Sequence, residues 1–295
     1  MKRTIGKTLW LVALLALGVT LALGTLVAAQ SSGQGQQNPP KPPTQPGQTP
    51  PQNPPAQPAQ PENAAPAVNP EEEAAYKTFF ETKADPQLVI KLGEDFLKKF
   101  AESRYREGVY SKLANSYLAT VEEEKMFAAG DKALELNPNN VDVLALMAYV
   151  LPRRVNPNSL DAEQRLQKSE RYSKQAITLV EAMQKPASLS DEDFAKAKND
   201  KLSMCHSGLG FVYFHRQKFA DSATEFEQAT KLAAQPEPSD FFIMGIDLEQ
   251  MKRFGDASAA YERCGDLQWA WQDRCKQKQQ ETKKLAAAQP QPPKQ

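Results

Sequence analysis

Few residues in this chain have the types and spacing that chemistry needs. His206 and His215 are its only histidines, and Cys205, Cys264 and Cys275 its only cysteines. The two histidines fall nine residues apart in one predicted helix, so at about 100° per residue they face nearly opposite sides and cannot share a metal through that helix. No CxxC or HxxxH spacing occurs. There is no GxSxG, no P-loop and no dinucleotide fingerprint. The runs Glu71-Glu72-Glu73 and Glu122-Glu123-Glu124 read as helix starts and solvated faces rather than as acid/base pairs. The chain is therefore expected to be no enzyme, with no catalytic, cofactor or metal residues. The rival reading is an enzyme whose site assembles from distant parts of the chain.

The elements that would have to position such residues are legible. The chain opens MKRTIGKTLWLVALLALGVTLALGTLVAAQ. Lys2, Arg3 and Lys7 precede an uncharged apolar run from Leu9 to about Ala29, which ends in small residues. At about 20 residues the run is long for a signal peptide and long enough to span a bilayer. Residues 1–29 are thus a signal peptide or a signal anchor. The basic flank predicts one topology for both, with everything after Gln30 exported to the periplasm or another extracytoplasmic space. No cysteine ends the run, so a lipoprotein anchor is excluded. Residues 30–70 are mostly Pro, Gln, Asn, Gly and Ala, with too little apolar surface to fold. They are expected to form a disordered spacer with a reach of about 120 Å if extended. The tail 288–295 is expected to be disordered as well.

Residues 71–287 carry apolar side chains at i, i+3, i+4 and i+7, with no alternating strand pattern. This predicts an all-α body. Breaks are expected at Asp85-Pro86, 137–140, 151–154, 156–159, Lys185-Pro186 and 236–238, with helix starts at Ser159, Ser190 and Ser239. Lys+Arg and Asp+Glu balance at 36 each, so nothing global draws the chain to nucleic acid.

Two stretches align: LGFVYFHRQKFADSATEFEQA from Leu209 and MGIDLEQMKRFGDASAAYERC from Met244, 35 residues apart. Gly210 and Gly245, small, would let each first helix approach its second. Tyr213 and Leu248, Phe219 and Phe254, and Phe226 and Tyr261 would fill the gaps. YSKLANSY, with Leu113-Ala114 and Tyr117, offers a third copy. VDVLALMAYVL, with Met147-Ala148, Leu151 and Ala176, offers a fourth, interrupted by PRRVNPNSLDAEQ. A first pair, AAYKTFFET and PQLVIKLGEDFLKKF, precedes them, and the segment from Leu267 to Leu285 reads as a polar-backed closing helix that Leu267, Trp271 and Trp269 seat on the last repeat.

This pattern resembles the tetratricopeptide repeat family over about 200 residues, as in exported bacterial proteins of that kind. The resemblance implies a solenoid of antiparallel helix pairs whose concave side is lined by the first helix of each pair. Carried over from the small residues, the groove positions are Ser111 and Asn115, then Ala145 and Tyr149, then Ser207, Phe211, Phe214 and His215, then Phe242, Ile246 and Glu249. Asn115 alone matches the lysine/asparagine/arginine clamp with which some of these domains hold a partner's carboxylate, so that clamp is not expected. The candidate groove is apolar and aromatic: Asn115, Tyr149, Phe211, Phe214, His215, Phe242 and Ile246. It suits a hydrophobic helix or an extended peptide, with inter-repeat packing as the competing role for the same aromatics. The implied function is a non-enzymatic protein-interaction scaffold of the cell envelope. The alternative is an envelope-assembly factor, because FLKKFAESRYREGVYSKLANSY is similar to repeats in outer-membrane assembly and cell-division-coordination proteins. Contact with a membrane is expected only through the N-terminal segment. Cys205 and Cys264 read as small packing residues. Export permits a disulfide, and Cys264–Cys275 is the pair that offers itself; but if a helix starts near Leu267, Cys275 lies some 12 Å along it, beyond the reach of about 7 Å that a bridge needs, so packing is the expected role and the bridge the alternative.

Overall fold

The computed structural model describes residues 69–289, so the expected signal or anchor segment, nearly all of the Pro/Gln-rich spacer and residues 290–295 lie outside the described residues. The described chain is eleven helices, in order α1 (Pro70–Glu81), α2 (Pro86–Lys99), α3 (Arg106–Ala119), α4 (Glu123–Leu136), α5 (Val141–Arg153), α6 (Ala162–Glu181), α7 (Asp191–His215), α8 (Phe219–Leu232), α9 (Pro238–Gln250), α10 (Phe254–Asp266) and α11 (Gln272–Ala288). No strand occurs among the described residues. Among them, too, no helix is long and apolar enough to cross a membrane.

The helices start where the sequence offers backbone N–H groups an acceptor or a proline. Asn69, Asp85, Asn140 and Ser190 each accept from the first turn of α1, α2, α5 and α7. Two expected starts move. Helix α9 opens at Pro238, whose fixed φ suits the first helical position, so Ser239 sits inside the first turn. Helix α6 opens at Ala162, because Ser159 donates its hydroxyl to Asn156 O in the preceding turn instead of capping a helix. The break expected at Pro152 is also displaced: α5 continues through Pro152 to Arg153.

Neighbouring helices in sequence pack as antiparallel pairs, α1/α2 through α9/α10, and α11 closes the row against α10. Three of the pairs share one turn. Lys218 N donates to Tyr213 O, Arg253 N to Leu248 O and Glu122 N to Tyr117 O, at 2.9, 2.8 and 2.8 Å. The residue before each donor is left-handed: Gln217 at φ 58°, Lys252 at 58° and Val121 at 62°. This is the Schellman ending of a helix. It falls at equivalent positions of the aligned segments, so backbone hydrogen bonding reproduces the register set by the side chains.

Small residues set the spacing within and between pairs. A Cβ at Gly210 would lie 2.8 Å from the Phe226 ring, and one at Gly245 would lie 2.6 Å from Tyr261. Phe226 and Tyr261 are fully buried. One apolar core runs from Phe79 in α1 to Cys205 in α7, and a second joins α9, α10 and α11 around Phe241, Tyr261 and Cys264. The solenoid buries its apolar surface pair against pair, as expected of repeats that cannot do so alone.

The cysteines correct the expectation. Helix α10 runs on to Asp266, and the next helix starts only at Gln272. The intervening residues reverse the chain, so Cys275 stands in the first turn of α11 rather than well along it. Its Cα is 5.7 Å from that of Cys264, and the two form a disulfide. Both are fully buried. Cys205 is free and buried, and burial pushes its thiol up to about 12, which leaves it inert as a nucleophile at neutral pH.

Candidate functional site

The first helices α3, α5, α7 and α9 stand side by side, and their shared side carries the candidate groove. At its near end Asn115 is exposed, and its Nδ2 donates to Ser111 O of its own helix. Asn140, the cap of α5, donates to Ser111 Oγ at 2.9 Å and to Glu107, tying α5 to α3.

The middle of the groove is filled by a residue the sequence reading passed over. Arg153 extends from the last turn of α5 and lays its guanidinium between two candidate aromatics, 3.5 Å from the Tyr149 ring centre and 4.3 Å from that of Phe211. Its Nη1 donates to Tyr149 O at 2.8 Å, and its Nη2 donates to Asp240 Oδ1 at 2.9 Å and to Ser207 Oγ. Ser207 in turn donates to Asp240 Oδ2. The ring closes with both carboxylate oxygens partnered. Asp240 is 2 % exposed, and burial pushes its carboxyl up while the Arg153 charge and the Ser207 hydroxyl pull it back. Burial likewise raises the Tyr149 phenol. Helices α5, α7 and α9 are thus fastened by one buried ionic cluster. Its sequence signal was weak: Asp240 resembles an ordinary first-turn acid, and Leu151-Pro-Arg-Arg154 resembles a loop.

Both histidines have structural partners on opposite sides of α7. His215 Nε2 donates to Pro152 O of α5 at 2.9 Å, while His206 Nδ1 lies 2.7 Å from Glu225 Oε2 of α8. Among the described residues no group of His, Cys, Asp and Glu is placed to hold a metal ion.

The remaining candidates divide. Phe242 is only 7 % exposed and packs edge-on against Tyr261, Trp269 and Trp271, with ring centres 5.4–6.0 Å away. It is a core residue of the last repeat, because the closing segment folds back over it. Ala145 and Ser207 are buried too. Phe211 is half-buried, edge-on to Phe226 at 5.2 Å. Phe214 and Ile246 are half-buried as well, on successive first helices, with Ile246 against the core of the last repeat. Trp271, expected to cover the last repeat, is 48 % exposed above Phe242.

A second buried acid, Asp247, has no counter-charge among the described residues. Ser222 has one hydroxyl proton and two acceptors in reach, Gly210 O at 2.9 Å and Asp247 Oδ2 at 2.6 Å. With Asp247 ionised, one of those contacts lacks a proton. With Asp247 neutral, its O–H donates to Ser222 Oγ and the Ser222 proton goes to Gly210. Burial pushes the Asp247 carboxyl up to about 7, against the smaller pull of Ser222. The folded pKa lies above the unfolded one, so the folded state holds the extra proton between about pH 4 and 7. Stability from this group is full below that window, falls as pH rises through it, and levels off above. The loss across the whole window is on the order of 4 kcal/mol. Urea unfolding at about pH 4.5 and about pH 7.5 should show that decline in the wild type and a flattened response in Asp247→Asn. Identical pH responses would mean that Asp247 is ionised throughout.

No protein-family model and no curated protein matches the chain. Among solved structures it is similar to PilW, a widely conserved type IV pilus biogenesis factor, at 15 % identity over 75 % of this chain and 92 % of that one, with a TM-score of 0.48. It is also similar to a double mutant of MamA at 13 % identity over 76 % and 100 % of the two chains, TM-score 0.40. A thermophilic tetratricopeptide protein of Thermus thermophilus is similar at 16 % identity over 73 % and 96 %, TM-score 0.37. The repeat class rests on the chain's own geometry: Gly210 beneath Phe226, Gly245 beneath Tyr261, and the shared Schellman turn at the repeat period. The fold is a tetratricopeptide-like solenoid of helix pairs. The floor of the first-helix side is taken by Arg153.

Proposed function

We propose that this chain is a non-enzymatic interaction scaffold of the cell envelope, which takes a protein or peptide partner along the first-helix side of its solenoid. The observation that carries the reading is the division of that side. Arg153 and Phe242 close its floor, Phe214 and Ile246 stay partly accessible on α7 and α9, and Trp271 is 48 % exposed before α11. Accessible apolar groups over a rigid, self-satisfied floor suit a partner with apolar side chains of its own. The envelope location is supported by the basic-then-apolar N-terminal segment and by the buried Cys264–Cys275 bond, which is at home in an oxidising compartment.

In the test, a photoreactive residue replaces Phe214 in the full chain, with a control at exposed Leu160 in the α5–α6 connection. The Phe214 position should yield a defined crosslinked partner in cells and the Leu160 position should not. Phe214→Ser with Ile246→Ser, assayed against that partner, should weaken binding by about tenfold or more with the thermal melt nearly unchanged. Equal crosslinking from both positions would remove the groove as the binding face.

A further inference from the structure

Helix α11 buries little of itself. Of its 17 residues only Cys275 and Thr282 are buried, and its one large aliphatic side chain, Leu285, is 46 % exposed. Most of the rest is charged or glutamine. Its neighbour α10 buries Ala257, Ala260, Tyr261, Cys264 and Gly265 within 13 residues. The polar ties of α11 to the body are few as well. Lys278 Nζ meets Glu249 Oε2 of α9 at 2.8 Å, the one ion pair joining α11 to another helix among the described residues. Ser258 of α10 donates to Gln279 O at 3.4 Å, and Gln289, just past the end of α11, donates to Lys252 O at 2.9 Å.

Beside these weak ties stands a covalent one. The Cys264–Cys275 bond joins the last turn of α10 to the first turn of α11, across a sequence separation of 11. Both cysteines are fully buried. They belong to the core that holds Phe242 and Tyr261, with Leu267 and Trp269 packed against it.

We infer that this bond is a redox latch: it seats α11 in an oxidising space, and its reduction releases α11 and opens the end of the last repeat. A dithiol supplies the electrons. One of its thiolates attacks a sulfur of the bond and its second thiol resolves the mixed disulfide. The products are thiols at Cys264 and Cys275 and the dithiol's own disulfide. Because both cysteines are buried, the exchange waits on an opening of the first turn of α11, so the latch yields slowly. Once the bond is cut, the chain regains the entropy of the closed loop. Helix α11 then has only two buried side chains and a few polar ties to hold it, and a helix of its length and polarity is marginal in water by itself. Its release withdraws Cys275 from the core around Phe242 and Tyr261 and frees the Trp269 segment that leans on Phe242. The cap that a repeat array needs at its end is thus conditional on redox state. The inference stands on the bond and the burial pattern and does not depend on the partner groove.

Hydrogen exchange of the full chain, with and without dithiothreitol, provides the test. Alkylation in denaturant should count one thiol, Cys205, in the oxidised protein and three after reduction. In the reduced protein the amides of residues 276–288 should exchange about a hundredfold faster, the factor that loop-closure entropy gives for a loop of this size. Those of α3, α4 and α5 should keep their rates. Cys275→Ala should exchange like the reduced wild type whether or not the dithiol is present. Three thiols before reduction would overturn the inference, and so would α11 amides that stay protected once three thiols are counted. Exchange that rises in every helix together would overturn it too, since that reports global unfolding and not a released closing helix.

Discussion

Arg153→Ala should destabilise the fold by about 3–5 kcal/mol, the cost of leaving a buried charge without its partner. The Arg153 side chain is 15 % exposed and that of Asp240 3 %. Removing the guanidinium leaves the carboxylate with the Ser207 hydroxyl and a long 3.5 Å contact from the Ser239 hydroxyl, and also empties the space between the Tyr149 and Phe211 rings. Asp240 then has to take up a proton or admit water, and either course loosens α9 from α5 and α7. The converse replacement separates charge from packing. Arg153→Met combined with Asp240→Leu restores apolar volume on both sides and should recover most of the loss, because the attraction in a buried pair roughly offsets its desolvation. Urea unfolding of the three proteins measures both effects. A single variant within about 1 kcal/mol of wild type would place Arg153 in solvent rather than in the groove.

Gly208→Ala is the second large effect. A Cβ there would stand 2.4 Å from the Ala148 carbonyl oxygen and 2.9 Å from its carbon. Those are backbone atoms inside α5, so no rotamer change relieves the clash. The α5–α7 crossing has to widen, at roughly 1–3 kcal/mol or more. Gly210→Ala meets the Phe226 ring at 2.8 Å, a side chain with some room to shift, and should cost less. Gly255, with nothing within 4 Å of its would-be Cβ, should tolerate alanine and gain up to about 1 kcal/mol from helix propensity. Thermal melts should rank the three in that order. A Gly208→Ala variant that melts with the wild type would mean that α5 and α7 do not cross at Ala148.

These two sites mark where sequence reasoning stops. Gly210 and Gly245 were legible because they repeat: each meets the aromatic of its own second helix, and that local contact recurs with the period. Gly208 was not, because its contact is made to the neighbouring pair. That contact depends on how far one pair is rotated against the next, which periodicity does not encode. The same reason hid Arg153. Its partners Tyr149, Ser207, Phe211 and Asp240 lie on three helices, and the only trace in the sequence is an acid opening an apolar stretch. Phe242 shares a helix stripe with Ile246, yet the closing segment buries the first and leaves the second half-buried.

By itself the sequence determined what depends on neighbours along the chain: the all-α class, the helix pairs and their register, the break at Asp85-Pro86, the cap at Ser190, and the two histidines facing apart. Each follows from a spacing within one or two turns or within one repeat. Tertiary structure alone decided the Cys264–Cys275 bond, the ionic floor at Arg153 and the burial of Phe242. Each of those turns on where a helix stops and which surface it then meets. Those are distances through space between segments whose separation along the chain carries no period.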